Sequence, residues 1–185
     1  QKFYNERRQQ LGSVTPNEGH KLVASLEDKF KVSVITQNVD DLHERAGSQH
    51  IIHLHGELMK ATSSRNPNDP NCIVTLPADN PVIHMGDKAK DGSQLRPFIV
   101  WFGESVPMIE PAIEEVSRAD ILVVIGTSLN VYPAAGLLNF ANSRCKIYLI
   151  DPNPVPYDPS LGIHHIMKGA SKGMEELCQL LVNEG

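Results

Sequence analysis

The sequence predicts an α/β fold: a Rossmann-like parallel sheet carrying a small inserted loop-rich module. Three observations predict it. Apolar, β-branched runs at 31–35, 120–125 and 146–150 alternate with segments of helical periodicity, the pattern of a sheet covered by helices. The first run stops abruptly in Thr36-Gln37-Asn38-Val39-Asp40-Asp41-Leu42-His43-Glu44-Arg45-Ala46-Gly47. A buried parallel strand ends in this way where it opens onto a ligand crevice. Third, from 61 to 94 the composition shifts to Ser, Asn, Asp, Pro and Gly with little periodicity.

The elements follow in order. Thr15-Pro16-Asn17-Glu18 has the form of a capping box with proline at the first helical position. Leu22, Val23, Leu26 and Phe30 then recur at helical spacing and predict a helix over about 15–30. Residues 31–35 and the isoleucine-rich 50–54 read as strands. Residues 96–102 form an extended apolar segment ending in Gly103-Glu104, and Ile109, Ala112, Ile113 and Val116 mark an amphipathic helix. Residues 120–125 read as a fully buried strand running into Gly126-Thr127-Ser128. A helix begins at Pro133-Ala134-Ala135, a strand follows at 146–150, and Ser171, Met174, Leu177, Cys178 and Leu181 mark a closing helix.

The totals narrow the function classes. At 185 residues, 41% hydrophobic and 21% charged, the chain fits one domain with a small insertion. A net charge of -5 and a pI near 5.9 argue against a general nucleic-acid binder, which usually carries a basic face. No apolar run approaches the roughly 18 residues of a membrane span, and no signal-peptide pattern opens the chain. Three widely spaced cysteines, Cys72, Cys145 and Cys178, argue against a disulfide framework, so a cytoplasmic location is expected.

Several groups carry chemistry, each with a plainer reading beside it. Gln37, Asn38 and Asp40 at a strand end can bond a ribose hydroxyl and a carboxamide together, or can form an Asx turn capping a helix. His55, in His53-Leu54-His55-Gly56-Glu57, suits a general base, although a lone histidine is commonly structural. His53 and His55, on one strand face, are also possible metal ligands, but no third and fourth ligand stands at motif spacing. Gly126-Thr127-Ser128, between strand and helix, is suited to a phosphate, yet such turns are common. The segments 100–104 and 129–132 suit a peptide held by strand addition, while Trp101 also reads as packing.

Taken together, the Gln37-Asn38-Val39-Asp40, His43-Glu44-Arg45-Ala46-Gly47 and His55-Gly56 elements resemble the sirtuins, NAD-dependent protein-lysine deacylases, over most of the chain. The resemblance implies that Gln37 contacts the nicotinamide ribose, that Asn38 and Asp40 line the nicotinamide pocket, and that His55 is the base. It places Gly126, Thr127, Ser128 and Asp151 in the cofactor site and Ala170 near the adenine; the family often has asparagine near the position of Asp151. It assigns Val100, Phe102, Gly103, Glu104 and Val131 to the substrate peptide. Tyr4 and Arg7, three apart on one helix face, match the Tyr-x-x-Arg pair of the bacterial class III, desuccinylase-like members. An arginine there can make a bidentate pair with an acyl carboxylate, although a solvated arginine is the plainer reading.

The resemblance also breaks in two places. Most sirtuins hold a structural zinc with two cysteine pairs, but Ser63 and Ser64 stand about where the first pair would begin, and 86–92 contains no cysteine. Four thiolates make a closed tetrahedral site, so no zinc is expected; His84 and Asp69 lack the spacing to replace them. The family's glycine-rich cofactor segment, which precedes the matched region, has no counterpart in the chain, which begins at Gln1.

The expectation is therefore a Rossmann-like NAD-binding domain over 1–57 and 98–185 with a module over 58–97. Its activity would be transfer of an acetyl, succinyl or malonyl group from a lysine of a protein or peptide to ADP-ribose, with release of nicotinamide. NAD is the only cofactor expected, with neither nucleic acid nor membrane as partner. A non-catalytic NAD or ADP-ribose-binding module is the alternative, and a metal hydrolase on His53 and His55 a distant third.

Overall fold

The computed structural model describes residues 1–101, 103–126 and 134–183. Helix α1 (Lys2–Leu11) leads to α2 (Glu18–Ser25), which is followed by a 3-10 turn at Leu26–Asp28. The capping box is real but sits two residues later than the sequence suggested. Asn17 Oδ1 accepts from the His20 amide at 3.0 Å, and His20 Nδ1 accepts from the Asn17 amide at 3.1 Å. Asparagine caps as well as threonine, and the ring nitrogen of His20 takes the place of a Glu carboxylate. The helix consequently starts later and ends earlier than 15–30.

Strand β1 (Val34–Thr36) pairs in parallel with β2 (Ile51–His53), with short helix α3 (Leu42–Ala46) between them. Strand β3 (Gly56–Ser63) is flanked by β4 (Val74–Thr75) and β5 (Leu95–Ile99), both antiparallel to it. The expected loop-rich stretch thus begins within a strand: Ala61, Thr62 and Ser63 are fully buried on β3. Small polar residues hid that strand from a reading based on apolar runs. Helix α4 (Ile109–Arg118) precedes β6 (Ile121–Ile125), which with β7 (Lys146–Ile150) and β8 (His164–Ile166) forms a three-stranded parallel sheet in that order. Helix α5 (Ala134–Leu137) lies between β6 and β7, and α6 (Ala170–Asn183) closes the described chain. Strand β8 escaped sequence reading because two of its three residues are histidine.

Two apolar clusters hold these layers together. Tyr148, Ile150 and Ile166 pack under Met174, Leu177 and Leu181 of α6, with Leu22 and Val23 of α2 alongside. Ile52 and Leu54 pack under Ala112 and Val116 of α4, with Ile35 and Leu122 against them. Strand β7 is buried from Ile147 onward, as a central parallel strand should be. Strand β6 is not fully buried, contrary to its composition: all five residues are half-buried. Its side chains reach both clusters, but the cover over each face is partial among the described residues. No helix among the described residues is long and apolar enough to cross a membrane.

Candidate active site

The site starts at the carboxyl ends of β1 and β2, where Thr36 and His53 are cross-strand partners. Buried Thr36 accepts the Leu54 amide on its carbonyl at 2.9 Å and the Asn38 amide on Oγ1 at 3.0 Å. Val39 O accepts from the Leu58 amide at 2.7 Å, and Asp40 Oδ1 from the Leu42 amide at 3.1 Å. Asp40 therefore does form an Asx turn at the entry to α3. The side chains of Gln37 and Asn38 make no hydrogen bond among the described residues, leaving two amides uncommitted at the strand ends.

His55 sits where β2 gives way to β3. Its carbonyl accepts the Val100 amide at 2.9 Å, and its half-buried ring makes no hydrogen bond among the described residues. The residue after it must be glycine. Gly56 has φ of 91°, and a Cβ there would lie 2.1 Å from the Phe98 carbonyl oxygen. Strands β3 and β5 approach through that bare backbone, which places the His55 ring at the junction.

The neighbouring His53 is buried and fully engaged. Its Nδ1 lies 3.1 Å from the Asn38 carbonyl, and its Nε2 lies 3.1 Å and 3.3 Å from the two Glu44 oxygens. Glu44, His53 and Glu57 bring one ligand atom each within 4.8 Å of one another, a grouping that does not include His55. Lys60 sits 2.8 Å from Glu57 and supplies a cation there. His43 turns inward against the His20 ring at 4.8 Å, with its Nδ1 buried and unpartnered. Burial first, then the His20 and His53 rings, lowers the His43 pKa against an opposing pull from Asp40.

Gly126 and Asp151 stand at the carboxyl ends of β6 and β7. Gly126 is exposed with φ of 68° and donates its amide to Ile150 O at 3.1 Å. Thr127, Ser128 and Val131 lie outside the described residues, as does Phe102. Asp151 is buried, and its Oδ1 accepts from the Asn153 amide at 2.8 Å. Ala170 opens α6, and its Cβ lies 3.5 Å from where a Cβ on Gly19 would stand, so the first turns of α2 and α6 meet.

Beyond β5, the segment carrying Val100, Trp101, Gly103 and Glu104 is shaped by an arginine that sequence reading passed over. Buried Arg96 makes a bidentate pair with Glu104, both contacts at 3.1 Å, and stacks 3.7 Å from the centre of the Trp101 ring. Glu104 also accepts the Trp101 amide at 2.6 Å; these bonds, the arginine's first, hold its pKa below the ordinary carboxylate value. The signal was an arginine inside an apolar segment with a glutamate eight residues on. A cavity of about 260 Å³ lies behind this segment, its walls including His53, Leu54, Thr62, Phe98 and Val100.

On α1, Tyr4 is half-buried and Arg7 is exposed, its guanidinium 5.2 Å from the centre of the Phe3 ring. The adjacent Arg8 is buried, donating to Leu58 O at 2.7 Å and to Asn5 Oδ1 at 2.8 Å. Asn5 in turn bonds both backbone groups of Ile83, at 2.9 Å and 3.0 Å. The second arginine of the pair thus ties the helix down while the first faces solvent.

The Sir2 family profile matches residues 1–133 of the chain. The chain belongs to the Sir2 family. Among its relatives, an NAD-dependent protein deacylase of Bacteroides thetaiotaomicron is 62% identical over 180 residues, 97% of this chain and 77% of the relative. An NAD-dependent protein deacylase of Helicobacter pylori is 49% identical over 97% of this chain and 76% of its own length. A solved Sir2 homologue–NAD complex superposes with a TM-score of 0.81 at 36% identity, covering 99% of this chain and 71% of that one. A Sir2 complex with a p53 peptide and NAD+ superposes at 0.72 with 30% identity, covering 91% and 71%.

A four-cysteine structural zinc does not fit the residues present. Ser63, the first position of the expected cysteine pairs, is a buried hydroxyl bonded to Asp91 and Ser93 and accepting from the Arg65 and Asn66 amides. Asp91 accepts further bonds from Asn66 and from the hydroxyl and amide of Ser93. These bonds, the Ser63 hydroxyl's first, push the Asp91 pKa far below its ordinary value. Both carboxylate oxygens are committed within a closed polar knot. Buried Cys72 is a free thiol with Asp69 3.7 Å from its sulfur and the Asp91 backbone also against it, and the sequence holds three cysteines, so four thiolates cannot converge there.

Proposed function

We propose that the chain is an NAD-dependent protein-lysine deacylase that moves the acyl group from lysine to ADP-ribose. The observation that carries this is that the His55 ring and the side-chain amides of Gln37 and Asn38, all uncommitted among the described residues, follow the carboxyl ends of two strands paired in parallel. When bound, NAD would supply the ADP-ribose that receives the acyl group, with nicotinamide as the leaving group. Gln37 would bond a ribose hydroxyl, and Asn38 with Asp40 would orient the nicotinamide amide. His55 would take the ribose hydroxyl proton as general base. Gly126 and the N-terminal end of α6 at Ala170, with Asp151, would hold the rest of the dinucleotide; Thr127 and Ser128 complete that assignment from sequence.

The substrate would lie along Val100, Phe102, Gly103 and Glu104 on one side and Val131 on the other, held by backbone bonds with little sequence demand. Glu104 would act through Arg96, holding the strand end in shape. Tyr4 and Arg7 would read an acidic acyl group. The exposure of Arg7 supports that reading, since its guanidinium is not spent on an internal carboxylate. The nucleotide-binding part would span 1–57 and 98–185, and the polar module 58–97.

The test compares NAD-dependent removal of succinyl and acetyl from one lysine peptide by the full-length protein. His55→Tyr is expected to lower both activities by at least about a hundredfold. Arg7→Met is expected to lose succinyl removal about tenfold or more and keep acetyl removal. If the wild type releases no nicotinamide with either peptide, the catalytic reading fails and a binding module for NAD or ADP-ribose replaces it.

A further inference from the structure

We propose that His53 is a positioning residue for this reaction: with its cross-strand partner Thr36 it clamps the Asn38 peptide, so that the loop carrying Gln37, Asn38 and Asp40 is held rigid beside His55. The inference rests on the deacylase reading of the site. Its basis is a two-point hold. Thr36 Oγ1 accepts a hydrogen bond from the Asn38 amide at 3.0 Å, and His53 Nδ1 meets the Asn38 carbonyl at 3.1 Å. Both backbone groups of one residue are fixed, and its side-chain amide stays free to meet a ligand. Thr36 and His53 are paired across β1 and β2, and both are buried, at 7% and 8% exposure.

The far side of the ring explains why a histidine serves here. Its Nε2 lies 3.1 Å from Glu44, on the helix that follows the loop, with Glu57 of β3 at 3.9 Å. Each ring nitrogen therefore faces an oxygen. Glu44 thereby orients the ring from behind, as an outer partner orients a working imidazole. The clamp joins three elements at one side chain: the β1–α3 loop, α3 and the strand that runs two residues on to His55. A site held by buried, fully bonded groups keeps its geometry between turnovers. Loss of the clamp should weaken cofactor handling while leaving the peptide side, built on β5, intact.

The experiment is steady-state kinetics of the full-length protein, with His53→Phe, His53→Gln and Thr36→Val, varying NAD and peptide separately. His53→Phe is expected to raise KM for NAD at least tenfold with less than a twofold change in peptide KM. His53→Gln, whose amide can still donate to the Asn38 carbonyl, should recover at least half of that change on a logarithmic scale. Thr36→Val should resemble His53→Phe. An unchanged KM for NAD, or equal rises for both substrates without rescue by glutamine, overturns the clamp. Nitrogen-15 NMR of the wild-type ring tests it apart from activity: a His53 Nδ1 without a bound proton overturns it even if deacylation is normal. An Nδ1–H coupled to the Asn38 carbonyl supports it even if no nicotinamide is released, the result that overturns the deacylase reading.

Discussion

Gly56 shows how much of the site depends on the absence of a side chain. Its φ is in the left-handed range, and its α-carbon faces the Phe98 carbonyl, which cannot retreat without breaking the β3–β5 pairing. Gly56→Ala should therefore cost at least about 3 kcal/mol, from backbone strain and a forced strand shift together. Urea unfolding will measure it, and residual activity should fall further than stability because His55 is the adjacent residue. At this scale the sequence was informative where chemistry is local. The order of Gln37, Asn38, Asp40 and His55 pointed to strand ends, and all four follow the carboxyl ends of β1 and β2, which pair in parallel. It was silent on Arg96 and on the His53–Asn38 contact, because pairing across strands depends on register, which no short motif encodes.

Helix α6 lies unusually close to the sheet at Gly173, where an added Cβ would stand 2.3 Å from Cγ2 of Ile150. Gly173→Ala should destabilise the protein by about 1–3 kcal/mol, since the Ile150 side chain must change rotamer in a filled core. Thermal melting will show it, with the far-UV spectrum of the folded state unchanged. Elements with strong periodicity, such as α4 and α6, were legible from the spacing of their apolar residues. Strands β3, β4 and β8 were not, because alanine, threonine, serine and histidine carry little apolar signal. Strand β6 misled in the other direction: an Ile-Leu-Val-Val-Ile run reports a preference for burial, whereas the burial achieved depends on what covers each face.

For the molecule as a whole, the polar knot around Asp91 does the work that a metal would do in a four-cysteine module. It ties β3 to the turn before β5 through one carboxylate. Chelators should therefore leave the melting temperature of the purified protein unchanged. Acid should not. The Asp91 pKa is depressed in the fold relative to an ordinary value of 3.8, so its contribution is complete above that value and drains away as pH falls below it. Asp91→Asn should melt lower than wild type near pH 7, and the gap should begin to narrow only as pH falls below about 4 and go on narrowing to about 2. The sequence showed that the cysteines were missing but not what replaced them, because the replacement joins residues some thirty positions apart. One last feature reaches across the whole fold. The hydrogen bond from the Val100 amide to the His55 carbonyl links the segment proposed to seat the peptide to the backbone that carries the proposed base. On that reading a poorly seated peptide that tugs on the segment would also tilt the base, and selectivity among substrates should be expressed in turnover more than in affinity.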